Sequence, residues 1–138
     1  MTTLFEPLQV RHCTLRNRIV LPPIATERAT PRGEVTQKHL QHYAAIAAEG
    51  PGLIIVEHTY IRPDGRVSDR QLGVYDDSLI EGLARLADAI KSQGAVACLQ
   101  ITHCGSRAKR DLIGTQPVSA WTIPVPGDAE APRALSAG

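Results

Sequence analysis

Apolar positions along the chain fall into short blocks with two different periods. Leu8, Val10, Cys13 and Leu15 alternate with polar residues, which predicts a small hairpin over Leu8 to Leu15 turning near Arg11 and His12. Ile19 to Leu21 is a short apolar run stopped by Pro22-Pro23, because each proline removes a ladder donor. Ile24 to Val35, with Pro31 and Gly33 inside it, reads as a loop. Thr36 then caps a helix whose Leu40, Tyr43, Ala44 and Ala47 share one face. Gly50-Pro51-Gly52 ends it, since glycine accepts the left-handed position and proline cannot propagate a helix. Leu53 to Val56 is a continuous aliphatic run, the signature of a strand buried on both faces. Pro63-Asp64-Gly65 marks a turn in the long loop that follows. Ser78 and Glu81 form a capping-box pattern, and Leu79, Leu83, Leu86 and Ile90 make one apolar stripe closed by Gly94. Ala95 to Ile101 is a third apolar strand. From Thr115 onward, Pro117, Pro124, Pro126 and Pro132 predict a long surface loop and no further strand.

The order strand, helix, strand, helix, strand implies parallel strands joined by right-handed crossovers. The long loops follow the carboxyl ends of the strands, where α/β folds bind ligands. Three parallel strands with helices on one side leave two hydrophobic edges unpaired, an invitation to aggregation. A closed parallel barrel takes roughly 250 residues. The expectation is therefore an α/β chain forming the front portion, about three βα units, of a (β/α)8 barrel. Residues 1–138 then make the N-terminal part of a single domain, incomplete at the C-terminus. The alternative is a small open sheet that dimerises.

Composition narrows the function classes. The chain has 138 residues, 43% hydrophobic and 21% charged, which suits one globular domain. Fifteen Lys and Arg against fourteen Asp and Glu give a formal charge of +1. That balance, with 4% aromatic residues, argues against a nucleic-acid partner. The longest all-apolar runs, such as Ala44 to Ala48, are too short to span a bilayer. Met1 to Val10 lacks the basic-then-apolar order of a secretory signal. Cys13, Cys98 and Cys104 form no CxxC pair, so a reducing cytoplasm is the expected location.

Three segments together carry a family resemblance. They are Leu4-Phe5-Glu6-Pro7-Leu8 with Leu15-Arg16-Asn17-Arg18-Ile19-Val20-Leu21-Pro22-Pro23, then Gly52-Leu53-Ile54-Ile55-Val56-Glu57, then Gln100-Ile101-Thr102-His103-Cys104-Gly105-Ser106-Arg107. In this order and spacing the chain resembles the old yellow enzyme family of FMN-dependent oxidoreductases; dihydroorotate dehydrogenases and other FMN barrels are more distant. The resemblance implies an eight-stranded α/β barrel with FMN at the carboxyl ends of its strands. It further implies reduction of FMN by NAD(P)H and hydride transfer to an electron-poor small-molecule substrate, such as an activated alkene.

Residue by residue, the resemblance puts Pro22, Pro23 and Ile24 against the flavin ring. Ala25 falls where family members often carry a Thr or Cys that hydrogen-bonds the flavin, a bond lost here unless Thr26 substitutes. His58 falls where the family has a small residue, so its imidazole must turn away or donate to the ring. Gln100 matches a glutamine on the pyrimidine edge, whose donors and acceptors an amide can meet. Glu27 lies where substrate-facing residues arise, and a carboxylate there would favour a cationic substrate; a solvated loop charge is the plainer reading. The family's paired histidines, proton donor and phosphate grip fall on later strands, so the resemblance assigns no catalytic residue here. The isolated chain is expected to be inactive and to need the rest of the barrel, or a second copy, over its strand edges. The competing reading is a non-catalytic remnant or a self-associating interaction module.

Other chemistry is weaker. His39 and His42 sit at helical i, i+3 spacing but lack a third metal ligand. His103 and Cys104 are adjacent on extended backbone and point apart. Arg107, Lys109 and Arg110 are basic but do not form a GxxxxGK phosphate loop.

Overall fold

The computed structural model describes residues 3–127 and 130–136. The chain opens with an antiparallel hairpin, β1 (Leu8–Val10) and β2 (Cys13–Leu15), in which Val10 pairs with Cys13. Arg11 takes the left-handed turn at φ 49°. The main sheet has three parallel strands: β3 (Val20–Leu21), β4 (Leu53–Tyr60) and β5 (Val96–Thr102), in the order β3-β4-β5.

Two helices, α1 (Gln37–Ala48) and α2 (Ile80–Lys91), connect these strands. They cover one face of the sheet. Tyr43 and Ala47 of α1 and Leu86 and Ile90 of α2 pack with Ile54 and Val56 of β4 into a single buried core. Ala97 and Leu99 of β5 join that core, so strand alternation sends Cys98 and Gln100 to the opposite face. There Val20 is exposed, as are Cys98 and Gln100. No helix among the described residues is long and apolar enough to cross a membrane.

Three expectations change. The β4 strand runs to Tyr60, well past Val56, because its last residues pair with β5 and with the segment that folds back over it. The cap before α2 is not a Ser78–Glu81 box. The Asp76 carboxylate accepts from Ser78 N at 2.9 Å, and a 3-10 turn, Asp77–Leu79, leads into the helix. The segment after Thr115 is not strand-free: β6 (Val118–Ser119) pairs in parallel with β7 (Arg133–Ala134). The prolines flank this pair instead of breaking it. Pro117 lends only its carbonyl, which accepts from Arg133 N at 2.8 Å. A short helix, α3 (Arg110–Ile113), precedes it.

The amino-terminal side of the sheet is locked by two residues that follow the hairpin. Asn17 donates from Nδ2 to Gly50 O at 2.8 Å, while its Oδ1 accepts from Ile19 N at 3.1 Å. Gly52 passes so close that an added Cβ would lie 2.4 Å from Asn17 O. Arg16 spreads its guanidinium over three carbonyls: Pro51 at 3.2 Å, Gln93 at 2.9 Å and Ala47 at 3.1 Å. It thereby ties the ends of both helices to the segment after the hairpin.

Arg16→Ala therefore should lower unfolding stability by about 1–2 kcal/mol. Arg16→Lys should recover only part of it, because an ammonium lacks the planar fork. Urea denaturation of the three proteins measures both differences.

Candidate functional site

Strands β4 and β5 end together at one rim of the sheet, Tyr60 opposite Thr102, and the loop that leaves β3 at Leu21 reaches this rim at Thr26. Val56 pairs with Leu99 and Thr59 with Ile101, so a bulge places two residues, Glu57 and His58, opposite the single residue Gln100. The two bulged side chains take different partners.

Glu57 is only 1% exposed, and its carboxylate is the hub of a buried network. Oε2 accepts from Thr26 N at 2.7 Å, and Oε1 accepts from Thr26 Oγ1 at 2.5 Å. His39 Nε2 of α1, fully buried, donates to Oε1 at 3.0 Å. The His39 Nδ1 accepts from Thr36 N at 3.3 Å, which sets the Nε2–H tautomer and starts the helix with a histidine in the place of a capping acid. Glu57 N donates to the Tyr43 hydroxyl at 3.0 Å, and burial pushes that hydroxyl's pKa up to about 12. Burial alone would raise the Glu57 pKa. The hydrogen bonds from His39 and Thr26 outweigh it and hold the carboxyl below its ordinary range.

This network immobilises the loop after β3. Pro22, Ile24 and Ala25 of that loop are exposed, Ile24 at 62%, and Pro23 is half-buried. Ile24 and Ala25 line a cavity of about 270 Å3 between the loop and α1, together with Arg28, His42 and Tyr43. The Thr26 hydroxyl, the one candidate to substitute for the missing donor at Ala25, donates to Glu57. Glu27 has φ 54°, and its carboxylate accepts from the Ser68 hydroxyl, bridging the loops after β3 and β4.

His58 takes the other direction from the bulge. The segment after β4 folds back on it, with Tyr60 N to Leu72 O and Val74 N to Tyr60 O both at 2.9 Å. This brings Gln71, 1% exposed, beside His58: its Nε2 lies 3.3 Å from both His58 Nδ1 and His58 O. Gln100 stands exposed on the open face, two residues before the end of β5. Thus His58 and Gln100 are neighbours across the ladder, while Glu27 is held by Ser68 in the loops above.

Two residues escaped the sequence reading. Gln71 carried no local signal. Glu57 did: a carboxylate interrupting a run of aliphatic strand residues needs buried partners. His39, weighed in the sequence only as half of a metal-binding pair, is buried, because it supplies one of those partners. It turns toward Glu57, while His42 packs edge-to-face on Tyr43 at 5.1 Å. His103 and Cys104 diverge: His103 Nδ1 accepts from Gly105 N at 3.1 Å, and Cys104 Sγ lies 3.9 Å from Gln71 Nε2. Of the basic cluster, Arg110 pairs with Glu130.

Residues 3–136 match the model of the NADH:flavin oxidoreductase / NADH oxidase family. The chain belongs to that family. Among solved structures it is similar to the old yellow enzyme homologue of Zymomonas mobilis. The identity is 26% and the TM-score 0.87, over 98% of this chain and 40% of that one. Morphinone reductase, solved in complex with tetrahydroNAD, is 27% identical with a TM-score of 0.88, over 99% and 41% of the two chains. The old yellow enzyme of Pichia sp. AKU4542 is 26% identical with a TM-score of 0.80, over 87% and 32%. The chain thus spans about 40% of the length of the first relative. Its fold is the front portion of an old-yellow-enzyme-type (β/α)8 barrel, as an open three-stranded sheet. The family is FMN-dependent, with NADH-type reductants.

Because the folded Glu57 pKa lies below the unfolded value near 4.3, its network contributes fully above that pH. The contribution fades as pH falls through the folded value. Glu57→Gln should cost about 3 kcal/mol at pH 7. It should also flatten the acid limb of the stability profile, as followed by denaturation across pH 3 to 7. An acid limb as steep as in the parent protein would contradict this assignment.

Proposed function

We propose that this chain forms the flavin-contacting front of an FMN-dependent oxidoreductase of the old yellow enzyme type. Bound FMN would supply hydride transfer, from NAD(P)H to an electron-poor substrate such as an activated alkene. Residues 1–138 are then the N-terminal part of one barrel domain. The remainder of the barrel, or another copy, covers the open sheet face.

The observation that carries this reading is the rim where β4 and β5 end together, Tyr60 opposite Thr102, beside the rigid loop that leaves β3. Its groups suit a flavin. The Pro22-Pro23-Ile24-Ala25 loop is held from behind by Glu57, so it presents fixed backbone and apolar surface with little entropy left to lose. The Gln100 amide offers both a donor and an acceptor, which matches the alternating pyrimidine edge. His58 sits opposite Gln100 at the bulge. Glu27, above these strand ends, is the substrate-side charge, and it favours substrates that are not anionic.

The full-length holoprotein should be yellow, and Gln100→Ala should weaken FMN about tenfold, the effect of losing about 1.4 kcal/mol of hydrogen bonding. Equilibrium dialysis with FMN measures it. A full-length protein that takes up no flavin would refute the reading. Ala25→Thr should shift the flavin's reduction potential, because it returns a hydroxyl to the loop; an unmoved potential would put Ala25 away from the ring.

A further inference from the structure

The rim holds one side chain whose tautomer is dictated by its surroundings and whose free nitrogen has no partner in the described residues. Gln71 is buried, and its Oε1 accepts from Val67 N at 2.9 Å. That bond settles the amide orientation, since the flipped amide would set two donors against each other. Gln71 Nε2 is therefore a donor only, and it lies 3.3 Å from His58 Nδ1, 3.3 Å from His58 O and 3.9 Å from Cys104 Sγ. A nitrogen that accepts an amide hydrogen carries no proton of its own, so the ring proton sits on Nε2.

No described residue hydrogen-bonds Nε2, and it is not among the buried unpaired atoms, so it reaches solvent. The hydroxyl of Thr26, in the adjoining loop, donates to Glu57. The rim consequently offers two side chains with free hydrogen-bonding capacity facing each other across the ladder, Gln100 and His58.

We propose that His58 is a hydrogen-bond donor to an electron-rich acceptor of the flavin ring, with Gln71 as the positioning residue that locks its Nε2–H tautomer. This rests on the flavin reading above. Reduction adds electron density to the ring's carbonyl and nitrogen acceptors, so a fixed donor holds the reduced form more tightly than the oxidised form and raises the reduction potential.

Two measurements on the full-length protein test this. In the flavin-free protein, 15N-histidine spectra should show His58 protonated at Nε2 and bare at Nδ1, and Gln71→Leu should release the ring into tautomer exchange. In the FMN-loaded protein, His58→Ala should keep the flavin. Its reduced-over-oxidised preference should fall about tenfold, a drop of about 30 mV for a two-electron couple. His58→Gln, which restores an N–H donor, should recover part of the drop. His58 is half-buried, so its variants remain measurable if Gln71→Leu does not fold. A proton found on Nδ1, or a flavin retained by His58→Ala at unchanged potential, overturns the proposal and leaves the flavin reading standing. A wild-type protein that binds no FMN overturns both, even with the tautomer as described.

Discussion

A single buried carboxylate organises the functional rim. Glu57 reaches the loop after β3 through Thr26, the start of α1 through His39, and Tyr43 through its own backbone N–H. An isolated carboxylate in that position would be ruinous, because burial disfavours the charge by several kcal/mol. Three donors to its oxygens reverse the balance, and charge-assisted bonds of this kind are roughly twice as strong as neutral ones. The result is a strand end, a loop and a helix start held to one another through one carboxylate.

The bulge on β4 sends two adjacent residues to different partners. Regular alternation would allow one β4 residue opposite Gln100, whereas the bulge supplies two. One, Glu57, serves the interior. The other, His58, stays at the rim under the control of Gln71.

At the opposite end of the strands, the chain closes with equally few residues. Arg16 and Asn17 join the hairpin to the helix ends and to the β3–β4 junction. The sheet is thus braced at both ends, while among the described residues no strand pairs with its outer edges and no helix covers its second face. That is the geometry of a barrel wall whose neighbours in its relatives continue around the axis. The exposed Val20, Cys98 and Gln100 belong to the side such a barrel encloses.

Local pattern alone determined much of this protein. Apolar periodicity located the hairpin, the three strands and both long helices, since each element must bury one face and that demand repeats at the period of the backbone. The proline pair ended β3 by simple loss of a donor, and the ordered motifs were enough to recognise the family. Tertiary structure decided what the pattern could not carry. The Asp76 cap, the β6–β7 pair among prolines, the burial of His39 and the commitment of the Thr26 hydroxyl all depend on which atoms meet across the fold. Gln71 is the clearest case: nothing around it in sequence distinguishes it, and it acquires a role only when the chain doubles back along β4. Hydrophobic burial is legible because it depends on each residue's own type. Hydrogen-bond partnership is not, because it belongs to pairs that only the folded chain brings together.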